Sequence, residues 1–431
     1  MDSKSIARQR PRRHSGRGSA ELAVFAATEE LLRETPLQDL TVAHILARAK
    51  LSRANFYHYF ASKYDVITAM VARLLTENAE ETPDSPTEPR PQTAEDDIRH
   101  AFAAWSANEA LICAVVENMH VVPELATAWN LLLDRFAAAL GRDITPAHDD
   151  SDTAVAATHD LIAAILARAC ERGFYIGARC HDRRLPDPGA AVDSLIELAA
   201  MAAGADRRPA KRRSRRKPAP STPIDASVLA GSAATDSRAM DHPTAVAILD
   251  ATTTLLMEHT LEQLSVARIL EQANVSRATL YFYFENKDDV FIALFEQIAH
   301  EITGRFSTLL TADRSDRAAV ESVVAQWLDL NPRSLGVLRS AIYEWPRRPE
   351  LGRRYLDAMA RMTDGLEAVI TADRDSGLAL PGPPAPQLAT VLMWTLERSI
   401  AGSLAEESGL SDTTAVATYL GKLLASVIYG H

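Results

Sequence analysis

Cysteine is scarce: Cys113, Cys170 and Cys180 are the whole complement of a 431-residue chain. An odd number without metal-ligand spacing gives neither a disulfide framework nor a zinc motif, so they read as small buried hydrophobes. Strict period-two alternation is also scarce and no strand-rich segment stands out. With hydrophobic residues at 47%, and Ala and Leu prominent, the pattern favours an all-α protein. Long apolar runs are missing. The stretch at 160–166 is soon interrupted by charge, and the N-terminus lacks a secretory apolar core. These two absences predict a soluble, cytoplasmic protein with no membrane partner. A P-loop, a Gly-rich dinucleotide fingerprint, an HExxH and a nucleophile elbow are absent too, and His300-Glu301 lacks a second His. No enzyme activity, metal or cofactor is therefore expected.

What is present is a repeat. Residues 40–74, LTVAHILARAKLSRANFYHYFASKYDVITAMVARL, align without a gap to 264–298, LSVARILEQANVSRATLYFYFENKDDVFIALFEQI, at an offset of 224 with 16 identities in 35 positions. In the first copy Val42, Ile45, Leu46 and Ala49 recur at helical spacing behind Thr41, a residue able to cap a helix. Ser52 can cap a second helix, on which Phe56 and Phe60 lie four apart on one face. Two short helices with a tight turn form a helix-turn-helix, whose second helix presents its outward side chains to the major groove. Those side chains are Arg53, Asn55, Tyr57, His58 and Tyr59. Arg can bond guanine and Asn adenine, while Tyr hydroxyls and Lys63 can bond phosphate oxygens. The competing explanation is a solvated polar face beside a small aromatic core, which two copies make harder to sustain.

LSRANFYHYFASKYDV, repeated as VSRATLYFYFENKDDV, resembles the DNA-binding signature of the TetR/AcrR family of bacterial one-component repressors. The resemblance is most specific over roughly 20–74 and 244–298. It implies three operator-binding helices followed by a larger helical domain that binds a small molecule and dimerises. By position, the implied DNA contacts are Thr41, His44, Ser52, Arg53, Asn55, Tyr57, His58, Tyr59 and Lys63. In the second copy they are Ser265, Arg268, Ser276, Arg277, Thr279, Tyr281, Phe282, Tyr283 and Lys287.

The net charge of −11 argues against nucleic acid only until its distribution is read, because phosphate affinity depends on local clusters. Residues 1–19 carry six Lys or Arg against Asp2, and RRPAKRRSRRK at 207–217 carries eight and no acid. Each run precedes a repeat copy, where a basic arm can touch phosphates or the minor groove. The copies themselves differ: 40–74 balances at +4 and 264–298 at −2.

The predicted organisation is a basic disordered arm at 1–19, a DNA-binding domain at 20–64 and a helical regulatory domain at 65–203. A basic disordered linker at 204–243, a second DNA-binding domain at 244–288 and a second regulatory domain at 289–431 follow. Bracing helices are expected at 20–33, amphipathic through Leu22, Phe25, Leu31 and Leu32, and at 244–257. The prolines of 82–92 should break the chain after a long helix from Asp65 to about Asn78. Weaker traces of duplication persist: Trp105 matches Trp327, Pro123-Glu124-Leu125 matches Pro349-Glu350-Leu351, and Glu171-Arg172 matches Glu397-Arg398.

The clustered aromatics Trp105, Trp129 and Phe174, and Trp327, Tyr343, Trp345, Tyr355 and Trp394, with Met119 and Glu344, are candidate lining for a small apolar effector or ordinary core. Final helices at about 155–170 with 188–203, and 384–406 with 412–429, correspond to the family's dimerisation helices. They pair either within one chain as a pseudo-dimer or between chains as a homodimer, and tethering favours the former. Asn55 becomes Thr279 and His58 becomes Phe282, so paired copies would read unlike half-sites. The leading expectation is a ligand-responsive repressor on double-stranded operator DNA. The alternatives are DNA binding mainly by the first copy, with the second as sensor or dimerisation partner, and a ligand-free architectural or activating DNA-binding protein.

Overall fold

The computed structural model describes residues 17–80, 93–142, 153–202, 221–230, 242–327 and 329–430. The basic runs at 1–16 and 207–217 and the proline-rich 82–92 lie outside them. The described residues form α-helices, short 3-10 turns and loops, with no strand among them. The first copy contributes α1 (Arg17–Glu34), α2 (Val42–Ala49), α3 (Arg53–Tyr59), α4 (Lys63–Glu80), α5 (Ala94–Ala107), α6 (Glu109–Asn118), α7 (Pro123–Gly141), α8 (Thr153–Ala178) and α9 (Val192–Ala202). The second contributes α10 (Pro243–Leu255), α11 (Val266–Ala273), α12 (Arg277–Tyr283), α13 (Lys287–Thr311) and α14 (Arg317–Trp327). Its last four are α15 (Pro332–Glu344), α16 (Pro349–Asp375), α17 (Ala385–Leu404) and α18 (Thr413–Tyr429). The order of helices is the same in both copies.

The chain nevertheless divides unequally, into one compact unit of 1–88 with 107–132 and another of 89–106 with 133–431. The division cuts through the first copy because α8 and α9 pack against α17 and α18 of the second. In the first unit α1 covers α2, α3 and α4. Its buried side is Val24, Phe25, Leu31 and Leu32, whereas Leu22, expected inside, is 51% exposed. The apolar stripe begins two residues later than the spacing indicated.

In the second unit the centre is a bundle of α8, α9, α17 and α18 whose core includes Ile165, Leu195, Leu198, Val391, Leu420 and Leu424. Glu171-Arg172 and Glu397-Arg398 face one another across it. Arg172 Nε lies 3.0 Å from Glu397, and Arg398 Nε donates to Glu171 at 2.5 Å. Each copy's arginine thus meets the other copy's glutamate, the self-complementary pattern of a two-fold interface. Internal pairing also explains why α8 runs to Ala178, past the expected end near 170: the three charges that interrupt its apolar run, Arg168, Glu171 and Arg172, meet opposite charges inside the bundle.

The linker expectation needs correction. Residues 221–230 are docked against α13 and α16, with a 3-10 turn at Ala226–Leu229. Ile224 N–H donates to Leu310 O at 3.0 Å, Leu229 is buried, and Ser221 Oγ donates to Ala312 O at 3.1 Å. Arg314, fully buried, donates to Thr222 O at 2.8 Å and to both oxygens of Asp373 at 2.7 and 3.0 Å. Low average apolarity concealed two anchoring side chains in ten residues.

Candidate nucleic-acid interface

Each short helix pair is fixed by its ends. Thr41 Oγ1 accepts His44 N–H at 3.2 Å, and Thr41 N–H donates to His44 Nδ1 at 3.4 Å, so α2 begins in a reciprocal capping box. It ends at Lys50, whose φ of 53° is left-handed. Ser52 Oγ then accepts Asn55 N–H at 3.2 Å and starts α3. The second copy repeats the device with Ser265 on Arg268 N–H at 3.3 Å, Asn274 at φ 52°, and Ser276 on Thr279 N–H at 3.0 Å. Cap, left-handed residue, cap: that sequence of ends makes the turn.

The inward faces are apolar and closed. Ile45, Phe56 and Phe60 in one copy, and Ile269, Leu280 and Phe284 in the other, are at most 4% exposed. Everything predicted to read bases lies on the opposite side. Arg53, Tyr57 and His58 are exposed with Asn55 and Tyr59 half-buried; Arg277, Tyr281 and Phe282 are exposed with Thr279 and Tyr283 half-buried. Phe282 is 80% exposed, which leaves its ring open to an apolar contact from a partner. The Arg277 guanidinium sits 5.5 Å over the Tyr281 ring, which presents the cation outward.

Several of the expected contact residues are tied into the protein. Lys63 Nζ donates to Leu37, Gln38 and Leu40 carbonyls at 2.7, 2.9 and 2.7 Å, which uses all three of its protons. Partial burial lowers its pKa. Lys287 Nζ repeats this toward Leu261 and Leu264, each at 3.0 Å. These lysines staple the loop before the helix pair; Lys63 spends all three protons there and Lys287 two. Tyr283 Oη lies 2.8 Å from His242 Nδ1, which also accepts Thr244 N–H, so the hydroxyl donates to the N-cap of α10. Arg48, one of the first copy's cations, is paired with Glu30 and Glu34 at 3.1 and 2.9 Å.

The candidate effector residues are largely buried. Trp105, Met119, Trp129, Phe174, Trp327, Trp345, Tyr355, Trp394 and Glu344 are each at most 6% exposed. Trp345 and Tyr355 stack at 5.3 Å, flanked by Phe295 at 5.4 Å and Trp394 at 6.0 Å. Tyr343 Oη donates to Ala401 O and Tyr355 Oη to Glu397 at 2.8 Å. Burial raises both phenols. None of these residues lines either of two clefts in the second unit. One, of 460 Å³, lies between the docked 226–230 and Phe295, Thr303 and Arg354; the other, of 620 Å³, is lined by Leu249, Met257, Gln297 and Arg333.

Among the described residues, no group of three His, Cys, Asp or Glu is placed to hold a metal, and no helix is long and apolar enough to cross a membrane. The pattern defining bacterial regulatory proteins of the tetR family matches residues 24–70 and 248–294, and that of the transcriptional regulator EthR C-terminal domain matches 317–430. The HTH-type transcriptional regulator EthR of Mycolicibacterium smegmatis is 28% identical over 189 residues, 43% of this chain and 85% of the relative. That of Mycobacterium tuberculosis H37Rv is 27% identical over 187 residues, 43% and 87% of the two chains. The fatty acid metabolism regulator protein of Bacillus subtilis is 32% identical over 83 residues, 19% of this chain and 41% of its own. With two tetR helix-turn-helix units and an EthR-like C-terminal domain in one polypeptide, the chain belongs to the TetR family as a tandem DNA-binding transcription regulator.

Proposed function

We propose that the protein is a ligand-responsive repressor whose two copies pair within one chain and bind an operator made of two unlike half-sites. The observation that carries the pairing is the reciprocal Arg172–Glu397 and Arg398–Glu171 crossing at 3.0 and 2.5 Å. Two-fold regulators bury such contacts between identical subunits, and here both partners come from one polypeptide. The unlike half-sites rest on the recognition faces. Asn55 can bond adenine bidentately where Thr279 cannot, and the exposed Phe282 suits a thymine methyl where His58 donates a hydrogen bond.

Repression is supported by the family, in which occupancy of the operator blocks transcription. Release by an effector requires that the effector bind the non-binding conformation more tightly than the DNA-bound one. The 460 and 620 Å³ clefts, both in the unit that contains the pairing bundle, are large enough for a small apolar molecule. The test is titration of the purified protein against its own upstream DNA at two salt concentrations, with footprinting and a promoter-reporter assay. Protection of an asymmetric site, with reporter output rising when the gene is deleted, supports the reading. A perfect palindrome, or output that falls, counts against it.

A second reading has its own observation: the first recognition segment carries a balance of +4 and the second −2. The first copy would then dominate DNA affinity, with the second serving as sensor. Arg53→Ala and Arg277→Ala, made separately, decide between them. Similar losses support two working readers, and a loss confined to Arg53→Ala supports one.

A further inference from the structure

Six ionisable side chains lie under a tenth exposed at the heart of the pairing bundle: Arg168, Glu171, Arg172, Glu397, Arg398 and Glu407. Four obey the repeat and cross reciprocally. Arg168 and Glu407 do not. Arg168 Nε donates to Glu407 at 2.7 Å, and Arg398 donates to the same carboxylate at 3.0 and 3.1 Å.

Backbone geometry identifies what the other copy places at those two positions. After α8, Cys180 has φ 50° and His181 N–H donates to Ile176 O; after α17, Glu406 has φ 55° and Glu407 N–H donates to Gly402 O. Glu407 therefore occupies the place of His181. Within the aligned helices Arg168 occupies the place of Trp394. On one side of the pseudo-two-fold is a buried Arg168–Glu407–Arg398 cluster. On the other are aromatic rings, with His181 5.0 Å from Trp345 and Trp345 6.0 Å from Trp394.

We propose that this asymmetry is a pairing code that makes the two copies each other's exclusive partners and prevents either from closing the same interface with a second copy of itself. The inference rests on the pairing reading above and adds specificity to it. As paired, the buried set holds three cations and three anions. Two first copies together would bury four arginines, Arg168 and Arg172 twice, against two glutamates. Two second copies would bury four carboxylates, Glu397 and Glu407 twice, against two arginines. A buried charge without its counter-ion is strongly destabilising, so mismatched pairing is penalised in both directions. Asp134 accompanies Arg168 in any pairing, but it lies 3.8 Å away with its side chain 39% exposed, a weak substitute for Glu407.

A second contact has the same bias. Arg184 pairs with Asp364 and, at 2.9 Å, with Glu367 of α16; the matching positions of α7 carry Ala138 and Gly141. Two first copies would leave Arg184 with its own copy's Asp182, 3.0 Å away, and without the two acids of α16.

The test replaces residues 207–217 with a protease recognition sequence, cuts the purified full chain there, unfolds it in urea, refolds it and reads compositions by native mass spectrometry. Mixed pairs of one first copy and one second copy, without homotypic pairs, are expected. Homotypic pairs in statistical proportion overturn the code and leave pairing intact; absence of any pair overturns the code and the pairing reading together. Arg168→Trp with Glu407→His gives each copy the residue of the other at the asymmetric positions. This variant is expected to yield homotypic pairs, and their absence would overturn the assignment of the code to these two residues. Should it fail to fold, the unsubstituted cut chain still decides.

Discussion

Phe282 and Lys63, both expected at the DNA, have opposite surroundings: Phe282 is 80% exposed and Lys63 is tied to three carbonyls. Phe282 touches little in the folded protein, so Phe282→Ala should change stability by less than about 0.5 kcal/mol yet weaken binding and relax base preference at the second half-site. A titration against site variants checks both. Lys63 is the reverse case, because its three protons are spent on carbonyls. Lys63→Met strands those acceptors and should cost about 1–3 kcal/mol of stability, by denaturant unfolding. Arg53→Ala, in contrast, should leave unfolding nearly unchanged and weaken operator binding by about 1–3 kcal/mol. His181 supplies a pH dependence. Burial, with Arg179 and Arg172 nearby, pushes its imidazole down to about 4. The unfolded chain, with a pKa near 6.5, therefore binds the proton more readily between pH 6.5 and 4. Stability should fall as pH drops through that window, by on the order of 3 kcal/mol at the lower end. His181→Phe, compared with the parent at pH 7 and 4.5, should lose that component.

Elements were readable in the sequence to the extent that local chemistry decides them. Thr41 and Ser52 cap the helices they were expected to cap, and Ser265 and Ser276 do the same in the second copy, because a hydroxyl at a helix start acts within three residues. The inward Phe56 and Phe60 followed from four-residue spacing. Long-range features did not follow. Leu22 faces solvent because the stripe of α1 is set by what α2, α3 and α4 offer it. The docking of 221–230 depends on a carbonyl and an arginine about ninety residues away. Glu171-Arg172 was visible as a repeated dipeptide in otherwise apolar helices, but its reciprocity emerges only when α8 and α17 are placed side by side. The docked segment makes its own prediction: Arg314→Met leaves the buried Asp373 without its cation and should cost about 3–5 kcal/mol, measured by denaturant unfolding.

At the scale of the molecule, a formally acidic chain gathers its basic residues in runs upstream of each copy. Duplication within one polypeptide frees the two recognition helices from being identical. Under the proposed pairing, tethering would hold the partners at an effective concentration of roughly millimolar, and the crossing arginines and glutamates would set their register. The claim at the centre is that one chain does what two subunits of a homodimer do. The most direct test is the mass of the complex with a minimal operator duplex, taken at protein concentrations well below micromolar. One chain per duplex, bound over two different half-sites, is the predicted result. Two chains per duplex at the lowest concentration that gives binding would contradict it.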